Sequence, residues 1–284
     1  MRRQEQQKGF VLILVIVMLV IVALLSVGMV CRSLGQSVAA AKKGDELQRR
    51  WGEISLRHTV LNRAEILLRT AELREGIKQP TLQTTIKLKY HTFYLILSDE
   101  QAKLNINTAF RYGGEQAVRK MLFENAVPWT VRLHPDSRAA RNSSYPPAFA
   151  SWGQVYDFSI LPENHHLMLT QLGERITCWG NGQLNIHRAE SHIIRTACEW
   201  VASPQAALAL VEWQREHPGG NFERLLREAD ISDQDRRAFR RVLTDRSRCH
   251  SLWTITRNAN RSWLRFDVKS ADGVSGNDIE TFYY

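Results

Sequence analysis

The sequence predicts an α+β protein: a long N-terminal helix packed on an antiparallel β-sheet, with a large all-α insertion between two groups of strands. Three observations carry this. The run from Phe10 to Cys31 is apolar, with no charge and no proline, as a membrane-crossing helix requires. Strand-like segments come in two sets, at 84–89 and 92–97 and again over 252–284. Between the sets, over about 105–248, the pattern is mostly helical.

A helix over 10–31 is on the order of 33 Å long, enough to cross a bilayer core. Ahead of it, residues 1–9 hold Arg2, Arg3 and Lys8 against one acid, Glu5. A secretory signal peptide fits poorly, because its apolar core is normally ~7–15 residues with a small-residue cleavage site behind it. Arg32, Lys42 and Lys43 follow the anchor closely, so charge counting alone does not orient it. The helical pattern then continues. Leu47, Trp51, Ile54, Leu61, Ala64, Leu68 and Ala71 recur at intervals of three, four or seven, and no proline appears before Pro80. One helix from Phe10 to about Arg74 is expected, roughly 100 Å long, with Gly28, Gly35, Gly44 and Gly52 as places where it bends.

The strands follow. Segment 84–89 (TTIKLK) alternates and 92–97 (TFYLIL) is rich in β-favouring residues, although Tyr90-His91 between them is no turn signature. At the end of the chain, 252–256 (LWTIT), 263–268 (WLRFDV) and 279–284 (IETFYY) read as strands joined by Asn- and Gly-containing turns. The simplest layout pairs both sets in one sheet, with the insertion as a separate subdomain. The insertion contains an internal echo, Leu104-Asn105-Ile106-Asn107-Thr108-Ala109 and Leu184-Asn185-Ile186-His187-Arg188-Ala189. Each copy follows a strand-like piece and precedes a helical pattern, where an Asn that bonds nearby backbone amides serves as a cap. Further helices are expected at 189–201, at 204–216 with Ser203 as cap and Pro204 in first position, at 222–229, and from Ser232, whose Asp235 approximates a capping box. His217-Pro218-Gly219-Gly220 reads as a tight turn and 138–151 as an exposed loop.

Composition fits a folded domain behind the anchor, with 24% charged and 44% hydrophobic residues in a chain of 284. The formal charge of +9 is a weak pointer to anionic partners. The chain has no G-x-S-x-G, H-E-x-x-H, Walker or G-x-G-x-x-G motif and is not read as an enzyme. Cys31 sits at the end of the apolar run. For Cys178, Cys198 and Cys249, a bridge from Cys178 to one of the other two and three buried reduced thiols are both open. His165, His166, His187 and His192 have the wrong spacing for a metal site, and no metal ligands are assigned. Asp99-Glu100 offers oxygens suited to calcium, but acids at strand exits are ordinarily solvated turn residues and are read that way. Arg236, Arg237, Arg240 and Arg241 form a basic helix face without the glycine-rich hairpin that would cradle phosphate. No nucleic-acid partner is expected.

Lys8-Gly9-Phe10 followed by the apolar helix resembles the class III signal of type IV pilins and pseudopilins. The resemblance implies cleavage between Gly9 and Phe10 by a prepilin peptidase and N-methylation of Phe10. Most members carry a glutamate four residues after the new terminus; here that position is Leu14. The minor pseudopilin K family of type II secretion systems typically lacks that glutamate, and the chain resembles it elsewhere. Asp99-Glu100-Gln101-Ala102-Lys103-Leu104-Asn105-Ile106-Asn107-Thr108 matches the family's D-E-x-x-K-L-N-I-N-T. Gly182 to Ala189 is similar to its second asparagine motif, with Asn185 in place but His187 and Arg188 where Asn and Thr are usual.

The resemblance implies a pilin-like fold divided into a leader (1–9), a transmembrane segment (10–31), an amphipathic helix with the first strands (32–104), an inserted helical subdomain (105–248) and C-terminal strands completing the sheet (249–284). It implies a protein that caps the pseudopilus tip, primes its assembly and supports export of folded proteins across the outer membrane. In a filament the usual glutamate pairs with the terminal amine of the next subunit, and an unpaired charge in an apolar bundle is costly. A tip subunit has no such neighbour, so Leu14 suits the outermost place. The partners implied are minor pseudopilins I and J, the major subunit, the prepilin peptidase, the inner-membrane assembly platform and exoproteins. The location implied is the inner membrane, single-pass, with the N-terminus cytoplasmic and the globular part periplasmic. Calcium is implied in the helical part, with no residue assigned, and no other cofactor. A PilX-like minor pilin of a type IV pilus and a membrane-anchored nucleic-acid-binding protein of a DNA-uptake machine are the alternative readings.

Overall fold

Helix α1 spans Arg2–Asn62 in the computed structural model, so it begins among the charged residues ahead of Phe10 and not at Phe10. The structure describes residues 2–124, 131–138, 147–157, 173–217, 220–229, 231–258, 261–271 and 279–283, with residues 2–12 and 261 described by backbone alone. Most of the 138–151 loop, His165, His166, Pro218-Gly219, the turn residues 259–260 and 272–278, and Tyr284 lie outside the described residues. None of the four glycines interrupts α1. By length and composition its span from Ile13 onward is able to cross a membrane. Where the helix turns polar, Arg49 pairs with Glu46 at 2.7 Å and Glu53 at 2.5 Å, and Arg50 with Glu46 at 2.8 Å. Ion pairs at i,i+3 and i,i+4 spacing support the helix there.

The single helix expected to Arg74 is broken at Arg63. That residue adopts φ −117° and ψ 14°, and its N–H bonds the Val60 carbonyl at 3.1 Å, a three-residue step in place of the α-helical four. A second helix, α2, covers Ala64–Glu75. Gly76 ends it in the left-handed region, φ 69°, with its N–H on the Glu72 carbonyl at 2.9 Å. The chain forms two compact units, Met1–Ile54 and Ser55–Tyr284.

The second unit is built on a sheet. Strands β1 (Thr81–Leu88) and β2 (His91–Asp99) form a hairpin in which Leu88 faces His91. Its turn is Lys89-Tyr90, with Lys89 at φ 53°; lysine is an unusual residue there, which is why the sequence carries no turn signature. After a 3₁₀ turn at Glu100–Ala102 come β3 (Leu104–Asn105), α3 (Ile106–Glu124), β4 (Ile176–Thr177) and β5 (Leu184–Asn185). The helices α4 (Ser191–Glu199), α5 (Pro204–Glu216), α6 (Phe222–Glu228) and α7 (Asp233–Val242) follow, and then β6 (Leu243–Thr244). Strands β7 (Cys249–Asn258), β8 (Arg261–Ser270) and β9 (Ile279–Tyr283) complete a five-stranded antiparallel sheet in the order β1-β2-β7-β8-β9.

Alternation assigns the two faces of this sheet. Phe93, Leu95, Leu97 and Leu252 pack with Leu61, Ala64 and Leu68 of the helices. Trp253, Ile255, Leu264, Phe266 and Val268 point the other way, into one core shared with the insertion. Trp179 lies tilted against Phe266 with ring centroids 4.4 Å apart and meets Trp152 edge-on at 5.4 Å. Among the described residues the insertion shares one buried apolar cluster with this face of the sheet. Its helix starts follow their caps. The Ser203 hydroxyl accepts from Ala206 N–H at 3.2 Å, Asn221 Oδ1 accepts from Glu223 N–H at 2.9 Å, and the Ser232 hydroxyl accepts from Asp235 N–H at 3.1 Å.

Candidate functional site

The Asp99–Thr108 stretch leaves the sheet at the end of β2 and forms a buried polar hub. Asp99 and Glu100 are not solvated turn residues: they are 0% and 1% exposed. A buried carboxylate costs several kcal/mol unless it is paired and hydrogen-bonded, and both are. Glu100 accepts from Lys103 Nζ at 2.5 Å and from the hydroxyls of Thr177 and Ser251. Asp99 accepts from Gln101 N–H at 2.9 Å, from Arg188 Nη1 at 3.2 Å and from the Ser247 hydroxyl. Gln101 donates to Asn181 Oδ1 at 3.0 Å and the Gln183 carbonyl at 3.3 Å, and accepts from Arg248 N–H at 2.5 Å. These partners come from the middle of the insertion (Thr177, Asn181, Gln183, Arg188) and from its return to the sheet (Ser247, Arg248, Ser251), so the hub ties it down.

The two echoed copies share their strand pairing. Leu104-Asn105 pairs in parallel with Ile176-Thr177, and Leu184-Asn185 pairs in parallel with Leu243-Thr244. Asn105 Oδ1 accepts from Thr108 N–H at 3.1 Å while its Nδ2 donates to the Trp179 carbonyl at 2.7 Å. Asn185 Oδ1 accepts from His187 N–H at 2.9 Å while its Nδ2 donates to the Ser247 hydroxyl at 2.7 Å. Beyond the asparagines the copies part. Asn107 donates to the carbonyls of Phe149 (2.9 Å) and Cys178 (2.7 Å) and accepts from Phe149 N–H. Thr108 donates to the Gly182 carbonyl at 2.8 Å. Gly182 has φ 81°, and a Cβ there would meet Thr108 Oγ1 at 2.5 Å, so glycine is required on both counts.

Sequence reasoning missed Arg188 as a functional group. Its guanidinium holds Glu65 in a fork at 2.7 and 2.9 Å and Glu72 at 2.7 and 3.2 Å, in addition to Asp99. Burial opposes its charge, but Glu72, Glu65 and Asp99 more than offset this and push its pKa up. His250 Nε2 stands 3.4 Å from Glu65 Oε2, an electrostatic contact without an aligned hydrogen bond. His250 and Arg188 together hold Glu65 at about 2. The one available signal was the departure of Arg188 from the family's usual Thr. A cleft of about 920 Å³ opens beside this network, lined by α2, the 76–78 segment, His187, Arg188 and the 245–247 turn.

The remaining expected site residues lie as follows. Gly9 and Phe10 are both within α1, and Leu14 is 52% exposed on it. Cys178, Cys198 and Cys249 are buried free thiols, each with its pKa raised by burial. Among the described residues no group of three or more His, Cys, Asp or Glu side chains is arranged to hold a metal ion. The carboxylates of Asp99 and Glu100 are committed to the hub, so they do not fit calcium. On the basic face of α7, Arg236 pairs with Asp233 at 3.1 Å and Arg240 with Glu223 at 2.7 Å.

No family model matches the chain, and no curated protein matches it. Among solved structures it is similar to a chain of the GspK-GspI-GspJ complex from the enterotoxigenic Escherichia coli type 2 secretion system. The identity is 11% and the TM-score 0.47, over 86% of this chain and 99% of that one.

Proposed function

We propose that the chain is a minor pseudopilin of a type II secretion system, placed at the tip of the pseudopilus, where it primes assembly and supports export of folded proteins across the outer membrane. The observation that carries this reading is the junction at Gly9-Phe10. A short basic segment ends there, the charge-free stretch 10–31 of α1 follows, and the position that would hold a filament-pairing carboxylate is Leu14. An anchor without an internal charge can leave the bilayer for an apolar helix bundle without carrying an unpaired carboxylate into it. On this reading the anchor is single-pass in the inner membrane with its leader cytoplasmic and its globular part periplasmic. Its partners are minor pseudopilins I and J, the major subunit, the prepilin peptidase, the assembly platform and the exoproteins. The hub around Asp99 and Glu100 has a structural role, not a catalytic one, because each carboxylate is already saturated by protein donors.

Co-expression with an active prepilin peptidase tests the reading. Mass spectrometry should show loss of residues 1–9 and one added methyl group on Phe10, and a leader left intact sinks the proposal. Deleting the gene should then stop exoprotein release. Loss of twitching and adhesion with normal release would favour a type IV pilus.

A further inference from the structure

Strand β1 is one edge of the sheet, and all eight of its residues pair with β2 in an unbroken register. In an antiparallel ladder successive residues turn their backbone groups to opposite sides. One step beyond the Thr81↔Ser98 pair, the Asp99 N–H bonds the Pro80 carbonyl at 2.8 Å. The even-numbered residues of β1 therefore bond β2, and the odd-numbered ones face outward. Among the described residues the backbone N–H and C=O groups of Gln83, Thr85 and Lys87 have no partner, and all three residues are exposed. Natural edges are ordinarily blunted by proline, a bulge or clustered charge. From Thr81 to Leu88 there is no proline, no bulge and one charge, Lys87.

We propose that this edge receives an extended acidic segment of a partner protein, which joins the sheet as a sixth strand antiparallel to β1. Backbone groups repeating at every second residue are satisfied in full only by another strand. Charge then selects which strand. Lys87 stands beside Thr92, and Thr92 beside Arg257, in one cross-strand row. The hairpin and β7 carry Lys87, Lys89 and Arg257 against a single acid, Asp99, which is fully buried at the far end of β2 and held in the hub. None of the three cations has an ion pair among the described residues, so the charge here does not cancel. A second copy of β1 would bring another lysine and no carboxylate. A carboxylate opposite Lys87 is favourable, and a like charge there is not. On the helix-covered face Leu82 and Ile86 are half-buried against Leu95 and Leu97, and Leu88 is 44% exposed, so the alternate residues of the incoming strand are aliphatic. The proposal rests on the hairpin and is independent of the pseudopilin reading.

The test combines amide hydrogen exchange read by NMR with fluorescence anisotropy, on the full chain in nonionic detergent micelles and with a labelled Glu-Val-Thr-Val-Glu-Val peptide. In the free chain the amides of Gln83, Thr85 and Lys87 should exchange at least about tenfold faster than those of Leu82, Thr84 and Ile86. Saturating peptide should slow the first three. Binding should weaken at least about tenfold in Thr85→Pro, which removes an outward N–H while leaving the ladder to β2 and the thermal melt intact. The same peptide N-methylated at its Thr and second Glu, whose amides would face β1, should not bind the parent chain, an arm that needs no variant to fold. Lys87→Glu should prefer a Lys-Val-Thr-Val-Lys-Val peptide instead. Absence of binding overturns the proposal, as does equal affinity for Thr85→Pro or for the methylated peptide. Binding that leaves the three amides unprotected places the peptide elsewhere and overturns it too. So does protection that grows with the concentration of the chain alone, which would make a second copy the occupant.

Discussion

Arg188 Nη1 lies 3.2 Å from Asp99 Oδ2 across 89 positions of sequence, and the Asp99 side chain is fully buried. The contact joins the insertion to the end of β2. Arg188→Ala removes the one cation paired, among the described residues, with a carboxylate that keeps its Ser247 and Gln101 donors. A loss of about 3–5 kcal/mol is expected. Arg188→Lys should recover little of it, since an ammonium cannot fork both Glu65 and Glu72. Urea denaturation of the full chain in micelles, followed by tryptophan fluorescence, reads the effect, and a loss under about 1 kcal/mol would contradict it.

Glu100 and Lys103 are a second such pair, each side chain 1% exposed. Lys103→Met alone should cost about 3–5 kcal/mol, because it leaves a buried carboxylate with hydroxyl donors only. Adding Glu100→Gln should restore part of the loss, since the amide carries no charge to neutralise. A double-mutant cycle measures the coupling, and strict additivity of the two losses would show that they do not act as a pair.

Glu65 makes stability depend on acidity. Its pKa is about 2 in the fold against an ordinary 4.5, so its contribution is complete above about 4.5 and is lost as pH falls through about 2. The stability difference between the parent and Glu65→Gln should therefore be present at neutral pH and shrink across that acid window. The side chain is 54% exposed, which makes the difference modest and salt-sensitive. A difference constant across the window would place the effect elsewhere.

Lys89 holds φ 53° at the turn of the first hairpin. Glycine adopts that conformation without steric cost, so Lys89→Gly should stabilise the chain by about 0.5 kcal/mol after loss of the Lys89 contact over the Tyr90 ring. A small rise in melting temperature is the expected reading, and a fall would show that the lysine side chain matters more than its backbone.

Local rules made much of the fold legible. The helix from Pro204 to Glu216 is read from Ser203 and Pro204 alone, because cap and first-turn chemistry act within a few residues. Runs of β-favouring residues gave β2, β7 and β8 to within a few residues. What could not be read was burial set by distant partners. Asp99 and Glu100 look like solvated turn residues until Arg188, Thr177, Ser247 and Ser251 are brought to them. Arg63 ends α1 through its backbone dihedrals, with no proline or glycine to announce it. The cleft was illegible for the same reason as the hub, since its lining is scattered over three segments.

The place of β7 in the sheet has a consequence for how the chain reaches its native state. β2 pairs with β7 in a register that sets Thr92 against Arg257, so the first hairpin has no second neighbour until the chain has emerged through about residue 257. Closing so long a loop comes late and slowly. Until then β2 offers an open row of amides and carbonyls to any other strand nearby. Truncation near the C-terminus therefore removes the middle of the sheet, and a nascent chain stalled before residue 249 is the species most in need of a holding chaperone.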